Sequence, residues 1–254
     1  MPLWSCMVFY DEEEGTKKTP SKKFSRLSTG VAGLNKLIEG GFKDGSINMV
    51  CGSAGSGKTT FSVQFLIEGF KKGEGGIYIT FEERKEKLYD DMLEFGWDLE
   101  KYERIGLFRF LEYTPEQIKR VLVEGGGTID AIISQMKTKR LVIDSITSFA
   151  LLFQDELTQK ESSLALFELI NRWGCTAVLT SQAVQLSQED LSNQLQFEVD
   201  SIIIFYHFKK KGTRMRAVEV LKMRGTKTPE KTVKLEIDSK SGIIVDPLTI
   251  VTAL

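Results

Sequence analysis

The chain has 254 residues, 41% of them hydrophobic, enough to bury one substantial core and near the upper size at which a chain stays one domain. Its 34 Lys and Arg against 35 Asp and Glu leave a net charge of -1, so no global positive field draws nucleic acid or an anionic membrane to it. Cys6, Cys51 and Cys175 are too widely spaced for a zinc or redox motif and fit reduced thiols in a cytoplasmic protein, while no apolar run reaches the roughly 20 residues that span a bilayer.

Residues 1–10 are apolar but short and run into the acidic stretch 11–14, unlike a signal peptide. Residues 11–25 then turn Lys-, Thr-, Ser- and Pro-rich, so 1–25 is expected to be a flexible segment ahead of a single domain over 26–254. Residues 46–51 read as a strand, 60–70 as a helix with Phe61 and Phe65 marking its faces, and Gly75-Gly76 as a turn into a strand at 77–81. A helix is predicted at 84–95, where Leu88, Met92 and Phe95 recur, then a strand at 105–110 and a helix at 115–123. A short helix at 129–136 precedes a strand at 140–144, and a helix at 160–172 precedes a strand at 175–180.

Strands apolar on both faces alternating with helices imply an α/β fold, a mostly parallel sheet between helical layers. The tail differs, with strand candidates at 200–207, 214–222, 231–237 and 243–245 joined by turns such as Lys211-Gly212 and Ser241-Gly242, as expected of hairpins that extend the sheet. No internal duplication is visible, so one nucleotide module is expected.

Gly52, Ser53, Ala54, Gly55, Ser56, Gly57, Lys58 and Thr59 match G-x-x-x-x-G-K-[ST] in full, between a predicted strand and a predicted helix. Glycines let successive N–H groups close on phosphate oxygens, and the helix adds its positive end. Lys58 is then expected on the outer phosphates and the Thr59 hydroxyl on magnesium. Asp144 ends an apolar strand, where such sites place the acidic residue on the metal side through water.

Glu82 and Glu83 leave the carboxyl end of a predicted strand. There one of them could deprotonate an attacking water, although a charged first helical turn explains the pair equally well. Gln182 follows another strand and fits either a phosphate sensor or a chain reversal. Strand alternation puts Lys222 and Arg224 on one face, suited to solvent or to an anion supplied by another subunit. His207, the sole histidine, reads as structural at a strand end, and Trp97 and Trp173 as packing residues. The basic stretch 207–216 reads as a solvated hairpin, with nucleic acid not favoured.

Taken in order, several pieces resemble the KaiC-like branch of the RecA/RadA superfamily of P-loop NTPases over about residues 26–250. They are Ser28-Thr-Gly-Val-Ala-Gly-Leu34, the loop through Thr60, Gln64-Phe65-Leu66, Tyr78-Ile-Thr-Phe-Glu-Glu83, Leu141-Val-Ile-Asp-Ser145 and Leu221-Lys-Met-Arg-Gly-Thr226. The resemblance implies a three-layer RecA-like sandwich that binds ATP and Mg2+ through residues 52–60, with Asp144 on the metal side. It makes Glu82 the favoured water-activating base with Glu83 beside it, and brings Lys222 and Arg224 to ATP from the neighbouring protomer of a homo-oligomer, usually a hexameric ring.

There are departures. The clock protein of this family has two modules and a phosphoacceptor Ser-Thr segment that find no match here, and Gln182 stands where that protein commonly has Glu. The short stretch before the match argues against filament-driven strand exchange, and no Asn-Lys-x-Asp guanine reader follows the loop, which favours ATP over GTP. The expectation is slow ATP hydrolysis coupled to movement between protomers or to recruitment of a protein partner. A DNA-associated ring and a scaffold with negligible turnover are the alternatives.

Overall fold

A computed structural model describes residues 25–182 and 198–252. The expected flexible segment 1–25 therefore lies outside the described residues except for Ser25. In chain order the elements are β1 (Arg26–Leu27), α1 (Ala32–Leu37), β2 (Phe42–Lys43), β3 (Ile47–Gly52), α2 (Lys58–Phe70), β4 (Gly75–Thr80), α3 (Lys85–Leu93), α4 (Leu99–Arg104), β5 (Phe108–Glu112), α5 (Pro115–Val123), α6 (Gly127–Met136) and β6 (Thr138–Asp144). Then come α7 (Ile146–Leu151), α8 (Glu156–Trp173), β7 (Thr176–Ser181), β8 (Ser201–Lys210), β9 (Thr213–Met223), β10 (Val233–Asp238) and β11 (Gly242–Ile250).

Nine strands form one sheet in the order β11-β10-β9-β8-β3-β7-β6-β4-β5, and β1 pairs with β2 alone. From β8 to β5 every pairing is parallel, and from β8 to β11 every pairing is antiparallel. The period of two assigns the faces. Ile47, Met49, Ile77, Ile79, Leu141, Ile143 and Leu179 pack beneath α5 to α8. Val50, Tyr78, Val142 and Val178 face Phe61, Phe65 and Leu66 of α2. Both faces are thus apolar and covered, as a parallel sheet requires. Among the described residues, no helix is long and apolar enough to cross a membrane.

Local chemistry sets several boundaries. Thr114 and Gln117 form a reciprocal capping box at the start of α5. Asp155 caps α8, which Gly174 ends in the left-handed conformation. The strand expected at 105–110 instead covers 108–112, because Asp98 caps a short helix, α4, that apolar periodicity did not mark, and Gly106 (φ 77°) turns the chain after it.

Gly75 and Gly76 are strand residues, not a turn. A Cβ on Gly76 would come within 2.8 Å of Phe70 and 2.9 Å of Leu66, so this glycine lets α2 lie close to the sheet. The reversal sits earlier, at Gly73 (φ 73°). The four tail strands are all present, with β8, β9 and β11 longer than expected.

Arg140 on β6 is fully buried. Its Nε donates to Glu74 at 2.6 Å, one terminal nitrogen donates to the carbonyls of Ser28 (2.8 Å) and Phe65 (2.9 Å), and the guanidinium lies 4.5 Å from the Phe65 ring centre. One charge thus ties α2, the segment before α1 and the end of the α2–β4 turn to the sheet.

Candidate functional site

The loop after β3 depends on glycine at three points. A Cβ on Gly52 would meet the Phe205 carbonyl oxygen at 2.5 Å, and Gly55 (φ 73°) and Gly57 (φ 105°) are left-handed. Helix α2 starts at Lys58 with Gly57 at its cap and no side-chain cap, so its first N–H groups stay available to a ligand. The Lys58 ammonium bridges the loop from within, donating to the carbonyls of Gly52 (2.8 Å) and Ser53 (3.0 Å). Burial lowers its pKa, and Asp144 pulls it back up. Ser56 is buried, Ser53 and Thr60 are half-buried, and Ala54 and Gly55 are exposed. A cleft of about 340 Å³ opens over Gly55, Gly57, Lys58, Thr59 and Thr60, walled by Phe95, Arg216 and Ile237.

Asp144 meets three hydroxyls at the carboxyl end of β6. Its Oδ2 accepts from Thr59 (2.9 Å) and Tyr78 (2.6 Å), and its Oδ1 accepts from Thr180. Burial, with Asp144 next, raises the Tyr78 pKa well above its ordinary value, which keeps that hydroxyl a donor. Among the described residues no group of three or more His, Cys, Asp or Glu could hold a metal. One carboxylate beside one hydroxyl, with room for phosphate oxygens, nevertheless fits magnesium, which binds few protein oxygens and keeps water or phosphate at the rest.

Thr80 pairs with Asp144 across β4 and β6, so Glu82 and Glu83 leave the sheet just beyond that level. The N–H groups of both donate to the Thr80 hydroxyl, at 3.3 and 3.0 Å. Glu82 is exposed, whereas Glu83 is half-buried, paired with Lys87 at 3.2 Å, and close enough to raise the Tyr78 pKa. Gln182 is exposed just after β7, with its N–H donating to Thr147 at 3.0 Å. From this strand it is Thr180 that enters the Asp144 cluster.

Lys222 and Arg224 stand apart. Met223 pairs with Ser201, which lies beside Asn48, whereas Gly52 lies beside Phe205, which pairs with Val218. The basic pair is therefore at the amino end of the parallel strands, about 10–13 Å along the sheet from the loop. Strand alternation covers only Lys222, because a bulge precedes it, β9 stops at Met223, and Arg224 belongs to the following turn. Lys222 donates to the Val199 carbonyl at 2.9 Å, and the Arg224 N–H donates to Asp200 at 2.8 Å. Burial, then Arg224, lowers the Lys222 pKa.

Two side chains at the loop had no functional reading from sequence. His207 lies within a strand that continues to Lys210, its Nδ1 3.3 Å from the Ala54 carbonyl oxygen, and Arg216 Nε donates to Gly55 at 2.9 Å. They are cross-strand partners on the face that holds Phe205 and Val218. Alternation predicts that shared face, but not that the phosphate loop lies over it. Tyr78 and Thr180 carry no local signal beyond their places on β4 and β7, the two strands that flank β6 and its Asp144.

A family model described as "ATPase: KaiC" matches residues 27–250. The circadian clock protein KaiC3 of Synechocystis is 31% identical over 232 residues, which are 88% of this chain but 46% of that protein. A UPF0273 protein of Pyrococcus furiosus is 30% identical over 236 residues, 87% of this chain and 94% of its own length. The crystal structure of a KaiC-like protein from Pyrococcus horikoshii matches with a TM-score of 0.79 at 34% identity, covering 88% of this chain and 100% of that one. The chain thus spans about half the length of the clock relative and nearly all of the UPF0273 relative.

Proposed function

The chain belongs to the KaiC ATPase family, and from that premise we propose that it binds Mg-ATP on residues 52–60 and hydrolyses it slowly at a site completed by a second copy of itself. The observation that supports this most is the Lys58 ammonium poised 2.8 and 3.0 Å from two loop carbonyls, with Thr59 and Asp144 in contact 2.9 Å apart beside it. An arriving triphosphate takes the place of those carbonyls as the ligand of Lys58, while the N–H groups of the loop and of the start of α2 hold its oxygens. Thr59 and Asp144 hold the magnesium ion, which when bound neutralises charge on the outer phosphates.

Glu82 is the exposed carboxylate just past β4, and it takes a proton from water as the water oxygen bonds to the γ-phosphorus. The bond to the bridging oxygen breaks, and ADP leaves with that electron pair. Glu83, paired with Lys87, positions that turn. In this reading Gln182, whose N–H donates to Thr147, follows the outer phosphate by hydrogen bonding. Lys222 and Arg224 meet the phosphates of the adjacent protomer, so the working form is a homo-oligomer, a hexameric ring, whose nucleotide state recruits a protein partner.

Calorimetric titration with Mg-ATP and Mg-GTP, together with light scattering, tests this. Saturable Mg-ATP binding in an oligomer is expected, with slow phosphate release unchanged by single-stranded DNA. Correctly folded protein that binds neither nucleotide at millimolar concentration overturns the reading.

A further inference from the structure

Helix α2 makes the phosphate site with its first turn and grips the C-terminal hairpin with the same face two turns later. Gly57 and Gln64 are seven residues apart, about 10 Å along the helix and nearly in line. At Gly57 a Cβ would come within 2.9 Å of the Cδ1 atoms of both Ile237 on β10 and Ile243 on β11, so these side chains seat directly on the last glycine of the loop. At Gln64, which is 7% exposed, the carboxamide pairs with the backbone of the same Ile243. The Ile243 N–H donates to Gln64 Oε1 at 2.7 Å, and Gln64 Nε2 points back at the Ile243 carbonyl at 3.3 Å. Nε2 also reaches the carbonyls of Gly30 (3.0 Å) and Ser241 (3.3 Å).

β11 is the edge of the nine-stranded sheet. A two-way amide pair on its outer side is what a further antiparallel strand would supply, and here one side chain of the phosphate-loop helix supplies it. Gly242 permits the fit, since a Cβ there would stand 2.6 Å from Gln64 Oε1 and 2.5 Å from the Trp97 ring. Trp97 stacks on Phe95, with ring centres 5.1 Å apart, and Phe95 and Ile237 are both walls of the cleft. The carboxamide thus holds the backbone of Ile243, the cross-strand partner of Ile237, and lines one small pocket with Trp97, on which Phe95 stacks.

We propose that Gln64 is a positioning residue for nucleotide binding, whose carboxamide holds the β10–β11 hairpin against α2 and so sets the outer wall of the cleft above Lys58. This rests on the phosphate loop being the nucleotide site. A side chain of similar shape without the amide leaves the Ile243 N–H and three carbonyls without their partner. The hairpin then loses its register on α2, and Ile237 its fixed place over Gly57.

The test compares the wild-type chain, Gln64→Met and Ser163→Ala, the last removing a buried hydroxyl bonded within α8, away from the cleft. Mg-ATP affinity, KM and kcat are measured beside thermal stability. Gln64→Met is expected to raise Kd and KM about tenfold with kcat within about twofold, while Ser163→Ala leaves all three unchanged. Hydrogen exchange at the Ile243 amide of the wild-type chain is followed with and without Mg-ATP, and slowing of at least about threefold on binding is expected. Wild-type protein that binds no nucleotide sinks the site reading and this inference with it. Wild-type binding with an unchanged Kd in folded Gln64→Met, or with unchanged Ile243 exchange, overturns the inference alone.

Discussion

At the carboxyl end of β3, Lys58 is folded back onto its own loop and stands in the field of Asp144. At the amino end of the same sheet, Lys222 and Arg224 sit around the close of β9, anchored to Val199 and Asp200. Both ends offer cations, and the first sets Lys58 at a helix N-terminus in the field of Asp144, which accepts from the Thr59 hydroxyl. A cation that grips phosphate works from within one protomer, because loop and lysine are adjacent in the chain. A cation meant to meet charge developing on the phosphoryl group can sit at the far end of the sheet only if a second copy brings that end to the first.

The largest expected effect comes from breaking the inner end. Lys58→Ala should weaken Mg-ATP binding by a factor on the order of a hundred or more in calorimetric titration, and affinity retained within threefold would remove the loop from the site. Next, Glu82→Gln should lower phosphate release by about a hundredfold to a thousandfold while binding persists, and Glu83→Gln should do less. The outer end is probed by Arg224→Ala, expected to cut turnover about tenfold or more with affinity within a few-fold. Mixing Arg224→Ala with Glu82→Gln chains should restore part of the turnover, since some interfaces then pair an intact Glu82 with an intact Arg224. Mixtures no more active than either parent would place the two residues in separate roles.

Smaller effects sharpen the contrast by acting on the scaffold alone. Glu74→Gln strips the buried Arg140 of its carboxylate and should cost about 3 kcal/mol of stability in urea unfolding, with Mg-ATP affinity unchanged. The buried thiols of Cys51 and Cys175 are both pushed up to about 11, by burial first, opposed by Lys58 at Cys51 and by Lys139 at Cys175. The folded chain therefore keeps protons that the unfolded chain releases from about pH 9 upward, so these groups make stability fall as pH rises from 9 to 11. Thermal melts across that range check the sign, and Cys51→Ala should flatten part of the slope.

Much of this was legible along the chain. The phosphate loop is eight consecutive residues, so connectivity alone brings them together, and Asp144 was visible because an apolar strand ending in a carboxylate is also a local pattern. The parallel half and the tail hairpins followed from where apolar residues recur. Short elements were not legible: α4 owes its place to one Asp98 cap and a following glycine, too little for periodicity to mark. Gly75 and Gly76 looked like a turn because sequence shows a missing side chain without showing the helix that needs the space.

Sequence by itself determined that a strand, a phosphate-type loop and a helix follow one another, and that a second strand ends in Asp144. Tertiary structure decided which residues surround them. Tyr78 and Thr180 reach Asp144 across 66 and 36 residues, Arg216 reaches Gly55 across 161, and Gln64 holds Ile243 across 179. Those contacts depend on strand order and register. Backbone hydrogen bonding can pair almost any two strands, so which pairs form is decided by how both faces of the whole sheet are covered at once.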